Sequence, residues 1–139
     1  MERLEDCISF LLSKAGQQIG RRAKERLASF GVTPTQYAVL KVLWDSDGQS
    51  GAEIATRLVI DSATTTGLID RMEASGLLER RADSGDRRVQ RLFLTSRARG
   101  LQKSLDAAME RLNAEVKEEL GSQAKPLWSA LRRLGSAKG

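Results

Sequence analysis

GAEIATRLVIDSATTTGLIDRMEASGLLERRADSGDRRVQRLFLT, residues 51–95, is the stretch that decides the fold. Just before and at its start, Ser50-Gly51-Ala52-Glu53 sets a hydroxyl three residues ahead of a carboxylate, the pattern of a capping box at a helix start. Ile54, Ala55 and Leu58 give the short helix an inner face. Val59-Ile60 makes a brief connection. Asp61 or Ser62 then caps a second helix that runs to Ser75 and stops at Gly76. Its expected buried stripe is Thr65, Leu68, Ile69 and Met72, at i, i+3, i+4 and i+7. Two short helices with a tight link have the form of a helix-turn-helix. Two strands follow, about residues 77–82 and 89–95, around the turn-forming tip Asp83-Ser84-Gly85-Asp86-Arg87-Arg88. A basic hairpin directly behind a helix-turn-helix reads as a wing.

Working outward, Leu4, Ile8, Leu11, Leu12, Ala15, Ile19, Ala23 and Leu27 recur at three- and four-residue spacing, which predicts one long amphipathic helix from Leu4. Gly31 is placed to end it in a left-handed cap. Thr33-Pro34-Thr35-Gln36 opens the next helix with an N-cap, a proline in the first turn and a capping box, and Tyr37, Leu40, Val42, Leu43 and Trp44 follow. Residues 45–49 read as a turn-rich stop. Downstream, Leu101, Leu105, Ala108, Leu112, Val116 and Leu120 mark another long helix. Gly121-Ser122 breaks it, and Leu127, Trp128, Leu131 and Leu134 stripe a last one. The expected fold is mostly α with a small β-hairpin wing. A winged helix-turn-helix lobe at 31–95 is flanked by a helical region made of 1–30 and 96–139.

Composition narrows the function. The chain has 139 residues, 23 basic and 18 acidic, for a formal charge of +5. That excess suits a polyanionic partner without demanding one. Histidine is absent and Cys7 is the single cysteine. The commonest general base, the commonest zinc ligand and any CxxC site are therefore missing. No phosphate-binding glycine loop is present. The expectation is a protein that is not an enzyme, with no catalytic residues, no metal and no cofactor. Met1 to Leu12 carries early acidic residues and has no signal-peptide pattern, no stretch approaches a membrane span, and a lone cysteine agrees with a reducing compartment; the cytoplasm is expected.

A helix that enters a major groove about 12 Å wide needs short hydrogen-bonding groups on its outer side. Ser62, Thr64 and Thr66 supply hydroxyls, and Gly67 allows close approach. Three consecutive threonines are poor helix formers, and local conflicts of this kind tend to fall at functional sites. A Ser/Thr run can also simply cap a helix. Residues 79–99 hold seven arginines against three acids, a local excess of +4. Arginine grips phosphates and reads a narrow minor groove through its negative potential. Asp86 sits two residues before Arg88, where it can hold the guanidinium in place. A charged hairpin can equally serve to protect a sheet edge.

These residues resemble the MarR (multiple antibiotic resistance) regulators over nearly the whole chain. The resemblance is carried by Thr64 and Thr66 in the helix, Gly76-Leu77 through Arg80 entering the wing, Asp86 and Arg88 at its tip, and the closing Leu94-Thr95. It implies a homodimer whose first and last two helices form a base, bound to pseudo-palindromic double-stranded DNA and usually repressing. Ser62, Thr64, Thr66 and Gly67 would face the major groove. Arg88 would enter the minor groove, oriented by Asp86, with Arg87 on a phosphate. The resemblance also implies release by a small effector, often an aromatic acid or phenolic, between base and lobe. Ser13, Gln17, Arg21, Tyr37 and Trp44 are the expected lining; the two aromatics can equally be ordinary core, and Arg21 a solvated surface residue. Three departures stand out. Ala98 occupies a position where many members have glycine. Thr65 replaces the usual aliphatic residue. Cys7 is offset from the reactive cysteine of the peroxide-sensing branch, which aligns with Ser9. A thiol-based redox regulator acting through Cys7 and a protein-interaction module without DNA binding are the alternative readings.

Overall fold

The computed structural model describes residues 2–136. Met1 and residues 137–139, the ends of the expected flanking segments, lie outside the described residues. Helices α1 (Ile8–Leu27), α2 (Pro34–Asp45), α3 (Gly51–Leu58), α4 (Ser62–Ala74), α5 (Ser96–Leu120) and α6 (Ala124–Ser136) surround a small sheet of β1 (Gln49–Ser50), β2 (Leu78–Ala82) and β3 (Gln90–Leu94).

The caps explain most boundaries. Thr33 accepts a hydrogen bond from the Gln36 backbone N–H, and the Gln36 side chain returns one to the Thr33 N–H, completing the capping box. The Ser50 box is half made. Ser50 Oγ accepts from Glu53 N at 3.2 Å, but the Glu53 carboxylate takes the Ser50 hydroxyl, and Ser50 is paired with Arg91 in the sheet. Gly31 and Gly76 adopt left-handed φ values of 69° and 78°, which a Cβ would disfavour. The first helix departs from expectation. Leu4–Asp6 is a separate 3-10 turn, and α1 starts after Cys7, whose backbone is extended. Side-chain periodicity runs across that break because it records faces, not backbone hydrogen bonds.

The sheet order is β1-β3-β2, antiparallel throughout, with Gln49 opposite Leu92 and Leu78 opposite Leu94. Strand β1 joins the last residue of the stretch read from sequence as a turn, Gln49, to Ser50, read as a helix cap. Two residues are too few to show alternation, and the strand exists because β3 offers it an edge. Gly48 makes that approach possible: φ is +75°, and a Cβ there would lie 2.9 Å from the Phe93 ring.

One core unites the chain. Leu27 of α1 and Leu105 of α5 are buried together with Val39, Leu43, Ile54, Met72, Leu78 and Leu92. Residues 31–95 and helices α1 and α5 are thus packed through one core. Helix α6 stands apart: Ala124 is its one buried residue, while Leu127, Leu131 and Leu134 are exposed. On α1, Ile8, Leu11, Leu12 and Ile19 are exposed as well. No helix among the described residues is long and apolar enough to cross a membrane.

Val59 ends α3 in the left-handed region at φ 55°, with 87% of its surface exposed. A β-branched residue is strained there, and exposure means that no burial compensates. Replacement by asparagine, which tolerates that conformation, should raise unfolding free energy by about 1 kcal/mol. Ile54→Ala, which empties a fully buried site, should lower it by about 2–5 kcal/mol. Urea titration of both variants checks the two opposite signs.

Candidate nucleic-acid interface

Helix α4 begins at Asp61. Its carboxylate accepts the Thr64 backbone N–H at 2.7 Å and the Thr64 hydroxyl at 2.8 Å. Those two bonds, the backbone one first, hold the Asp61 carboxyl below its usual range. Thr65 donates its hydroxyl to Asp61 O at 2.8 Å, and Thr66 donates to Ser62 O at 2.9 Å. Each threonine therefore satisfies its hydroxyl within the first turn, which is how this poor helix-forming run stays helical. Thr65 is only 3% exposed, yet its polar atom is paired and its methyl fills the stripe with Leu68, Ile69 and Met72. Ser62, Thr64 and Thr66 are exposed and Gly67 half-buried. With their protons committed, Thr64 and Thr66 present lone pairs outward, the complement of the amino groups of adenine and cytosine.

The wing tip is ordered by carboxylates. Asp83 accepts the backbone N–H of Gly85 and of Asp86, both at 3.0 Å. Asp86 Oδ1 accepts the Arg88 backbone N–H at 3.0 Å and its Nε at 3.2 Å. The guanidinium of Arg88 is thus aimed while its side chain stays 91% exposed. Arg87 is exposed and has no carboxylate within ion-pair distance among the described residues.

The other wing-region arginines do not join a single basic surface. Arg91 binds Asp83 at 2.5 Å and Gly48 O at 3.0 Å, fastening the wing to the β1 loop. Its hydrogen bond is the main reason the Asp83 carboxyl is held below its usual range. A lowered value makes the pair's contribution complete above the ordinary carboxylate range, about pH 4, and lost as pH falls through the folded value. Arg80 is clamped by Asp70 and by Glu73, the latter at 2.8 Å. Arg81 lies over the Phe93 ring at 4.5 Å, Arg97 donates to Ser75 O, and Arg99 pairs with Asp47 at 3.2 Å. Asp47, Asp70 and Glu73 lie outside the basic stretch, so a charge count along the wing could not reveal these pairings.

Thr66 of α4 and Arg87 and Arg88 of the wing line one cleft of about 500 Å³, which the Ser50-Gly51 start of α3 also borders. Helix hydroxyls, a helix N-terminus and two available guanidinium groups thus converge on one opening. That set fits a duplex backbone and its grooves.

The expected effector lining is only partly assembled. Tyr37 and Trp44 meet edge to face at 6.0 Å between centroids. Their polar atoms are already used: Tyr37 donates to Asp106 at 2.6 Å and Trp44 to Ala98 O at 3.3 Å. Burial first, then Asp106, pushes the Tyr37 hydroxyl well above its usual value. Ser13, Gln17 and Arg21 are exposed on α1. Cys7 is half-buried at the α1 N-cap position, and no side-chain hydrogen bond caps the helix there. No group of potential metal ligands exists among the described residues.

A threonine-bearing helix and an arginine-tipped hairpin around one cleft define the winged helix-turn-helix of DNA-binding proteins. Known proteins agree with that class. Residues 32–89 match the family model described as the MarR family. The HTH-type transcriptional regulator TtmR of Methylorubrum extorquens (strain PA1) is 40% identical over 105 residues, 76% of this chain and 54% of the relative. The chain thus spans about half the length of that relative. A probable transcriptional regulator from Pseudomonas aeruginosa is 30% identical, with 95% of this chain and 99% of that chain covered at a TM-score of 0.87. The transcriptional repressor CouR, solved bound to a 23-mer DNA duplex, is 28% identical, with 97% and 96% covered at a TM-score of 0.83. The chain is similar to MarR-family transcriptional regulators, and residues 32–89 carry the match to that family.

The two kinds of arginine separate by experiment. Arg88→Ala should weaken binding to a target duplex at least about tenfold and leave the melting temperature unchanged, since Arg88 packs against nothing but its own turn. Arg91→Ala should lower both, because it unfastens the wing. Gel shifts alongside thermal melts read the difference; an Arg88→Ala protein with wild-type affinity would remove the wing-tip assignment.

Proposed function

We propose that two copies of this chain form a homodimer that binds a pseudo-palindromic operator, represses from it in the cytoplasm, and is released by a small aromatic or phenolic effector. The observation that carries the DNA reading is the convergence of Thr66, Arg87 and Arg88 on one cleft. Ser62, Thr64, Thr66 and Gly67 are read as the major-groove set. Arg88, steadied by Asp86, is read as the minor-groove contact, and Arg87 as a phosphate contact. The DNA-bound state of a relative with 28% identity supports this reading.

The dimer is supported by what the single chain leaves uncovered. Helix α6 is 13 residues long with one buried residue. A helix of that length is marginal in water unless its apolar face is packed. Leu127, Leu131 and Leu134 on α6 and Ile8, Leu11 and Leu12 on α1 offer such a face at the two chain ends. A twofold axis through that base would set two α4 helices about 34 Å apart, one duplex turn.

An effector then acts by favouring another spacing, to the extent of its differential affinity for the two states. The joint between lobe and base is the Tyr37–Asp106–Lys41 cluster, in which Asp106 accepts from both Tyr37 and Lys41. A carboxylate held by Arg21, with an aromatic ring against Tyr37 and Trp44 and the α1 residues Ser13 and Gln17 along its edge, would compete at that joint.

Footprinting on the DNA upstream of the protein's own gene tests the core of the proposal. Protection of two half-sites one turn apart is expected, with affinity falling steeply as salt rises through counterion release. A flat salt response would count against DNA. Leu131→Glu should yield a monomer by analytical ultracentrifugation and abolish protection; a variant that stays dimeric would move the interface elsewhere. In a Trp128→Phe background, aromatic acids should change Trp44 fluorescence and release the DNA together. Silence across such a panel would sink the effector site.

A further inference from the structure

Arg71 is a cation that neither the fold nor the wing uses. It lies on the exposed side of α4, and its guanidinium makes no hydrogen bond or ion pair among the described residues. Positions three and four residues away on the helix hold Gly67, Leu68, Ala74 and Ser75, so no carboxylate sits where helical ion pairs form. The nearest acids along the chain, Asp70 and Glu73, are both taken by Arg80.

Its place is fixed by a missing side chain. A Cβ built on Gly67 would lie 3.3 Å from an Arg71 guanidinium nitrogen. The guanidinium therefore lies across the bare backbone one turn toward the helix N-terminus, the direction in which helical side chains lean. The buried stripe of Thr65, Leu68, Ile69 and Met72 turns the opposite face outward. At about 100° per residue, Ala63, Gly67 and Asp70 centre that face, with Thr64 and Arg71 on one flank and Thr66 on the wing side. Gly67 costs helix propensity, and the space it leaves is filled by the one planar, acceptor-free, five-donor group on the helix.

We propose that Arg71, laid over Gly67, is a specificity-determining residue that reads guanine in the major groove through its O6 and N7 atoms. The proposal rests on the DNA-binding reading above. It complements the threonines: Thr64 and Thr66 offer acceptors, whereas Arg71 offers only donors, and guanine presents two acceptors side by side. A lysine would keep the charge but not the fork.

Wild-type, Arg71→Ala and Arg71→Lys proteins taken through binding selection from a random duplex library test it. The wild type should enrich a symmetric motif with one guanine in each half-site that Arg71→Ala no longer selects. Affinity of Arg71→Ala for the wild-type motif should fall about tenfold or more, and less for a duplex in which that guanine is replaced. Arg71→Lys should recover part of the affinity without the guanine preference. Melting temperatures should be unchanged, since Arg71 packs against no core residue. If the guanine survives in the Arg71→Ala motif, the proposal fails while DNA binding stands. A loss equal for all sequences, with a shallower salt dependence, makes Arg71 a phosphate contact and overturns base reading. A wild type that enriches nothing overturns the DNA reading, and this one with it.

Discussion

The rotation of α4 about its own axis is the constraint on which the site depends. Thr65, Leu68, Ile69 and Met72 are buried against a core shared with Val39, Leu43, Ile54 and Leu92. Once those four side chains are seated, every other residue of the helix has its direction assigned. A hydroxyl at 64 or 66 faces solvent, and the backbone at Gly67 lies on that outward side beneath Arg71. Thr65 shows how tightly this is enforced. A polar residue occupies a core position at no unsatisfied cost, because its hydroxyl returns to the Asp61 carbonyl and leaves only the methyl to pack. Sliding the stripe forward by one residue would bury Thr66, Asp70 and Glu73 and expose Leu68 and Met72, exchanging the interface for the core.

Charge is handled by pairing rather than by accumulation. The basic stretch around the wing looks from its composition like a single electrostatic surface. Most of its guanidinium groups are spent inside the molecule: Arg80 joins α4 to β2, Arg91 joins the wing to the β1 loop, and Arg99 holds Asp47, whose other oxygen accepts the Leu94 N–H. Apart from Arg91, which also holds the Gly48 carbonyl, pairs this exposed contribute little to stability individually. Their effect is geometric, because they fix the hairpin's angle to α4 and leave Arg87 and Arg88 as the tip's available cations.

The helices outside the lobe divide in the same way between use and reserve. Helices α1 and α5 share the core through Leu27 and Leu105, and their outer sides are linked by Arg22 with Glu119 at 2.8 Å and by Arg26 with Glu115. Helix α6 gives almost nothing to that core. Burying its three leucines against a second copy would contribute about 1 kcal/mol each, the scale on which partial burial of aliphatic side chains acts. Helix α1, one part of the proposed dimer base, shares its core with α4, so a change at either can reach the other, since packed interiors do not deform gradually.

What the sequence determined by itself was everything carried by local pattern. The helix order, the Thr33 cap, the buried stripe of α4, the glycine stops and the hairpin all follow from spacing and capping chemistry between residues a few positions apart. Asp86 with Arg88 was legible for the same reason, being two residues apart. Tertiary structure alone decided what depends on distant partners. Strand β1 exists only beside β3. Arg91 fastens the wing because Asp83 and Gly48 are brought to it. Tyr37 and Trp44 spend their polar atoms on α5, and the break at Cys7 is a backbone event that the apolar rhythm of its neighbours hides. Arg71 was invisible in the sequence because its freedom is defined by what Arg80 takes away. Local chemistry fixes where helices start, stop and face; the assignment of each charged side chain waits for the chain to bring its competitors together in space.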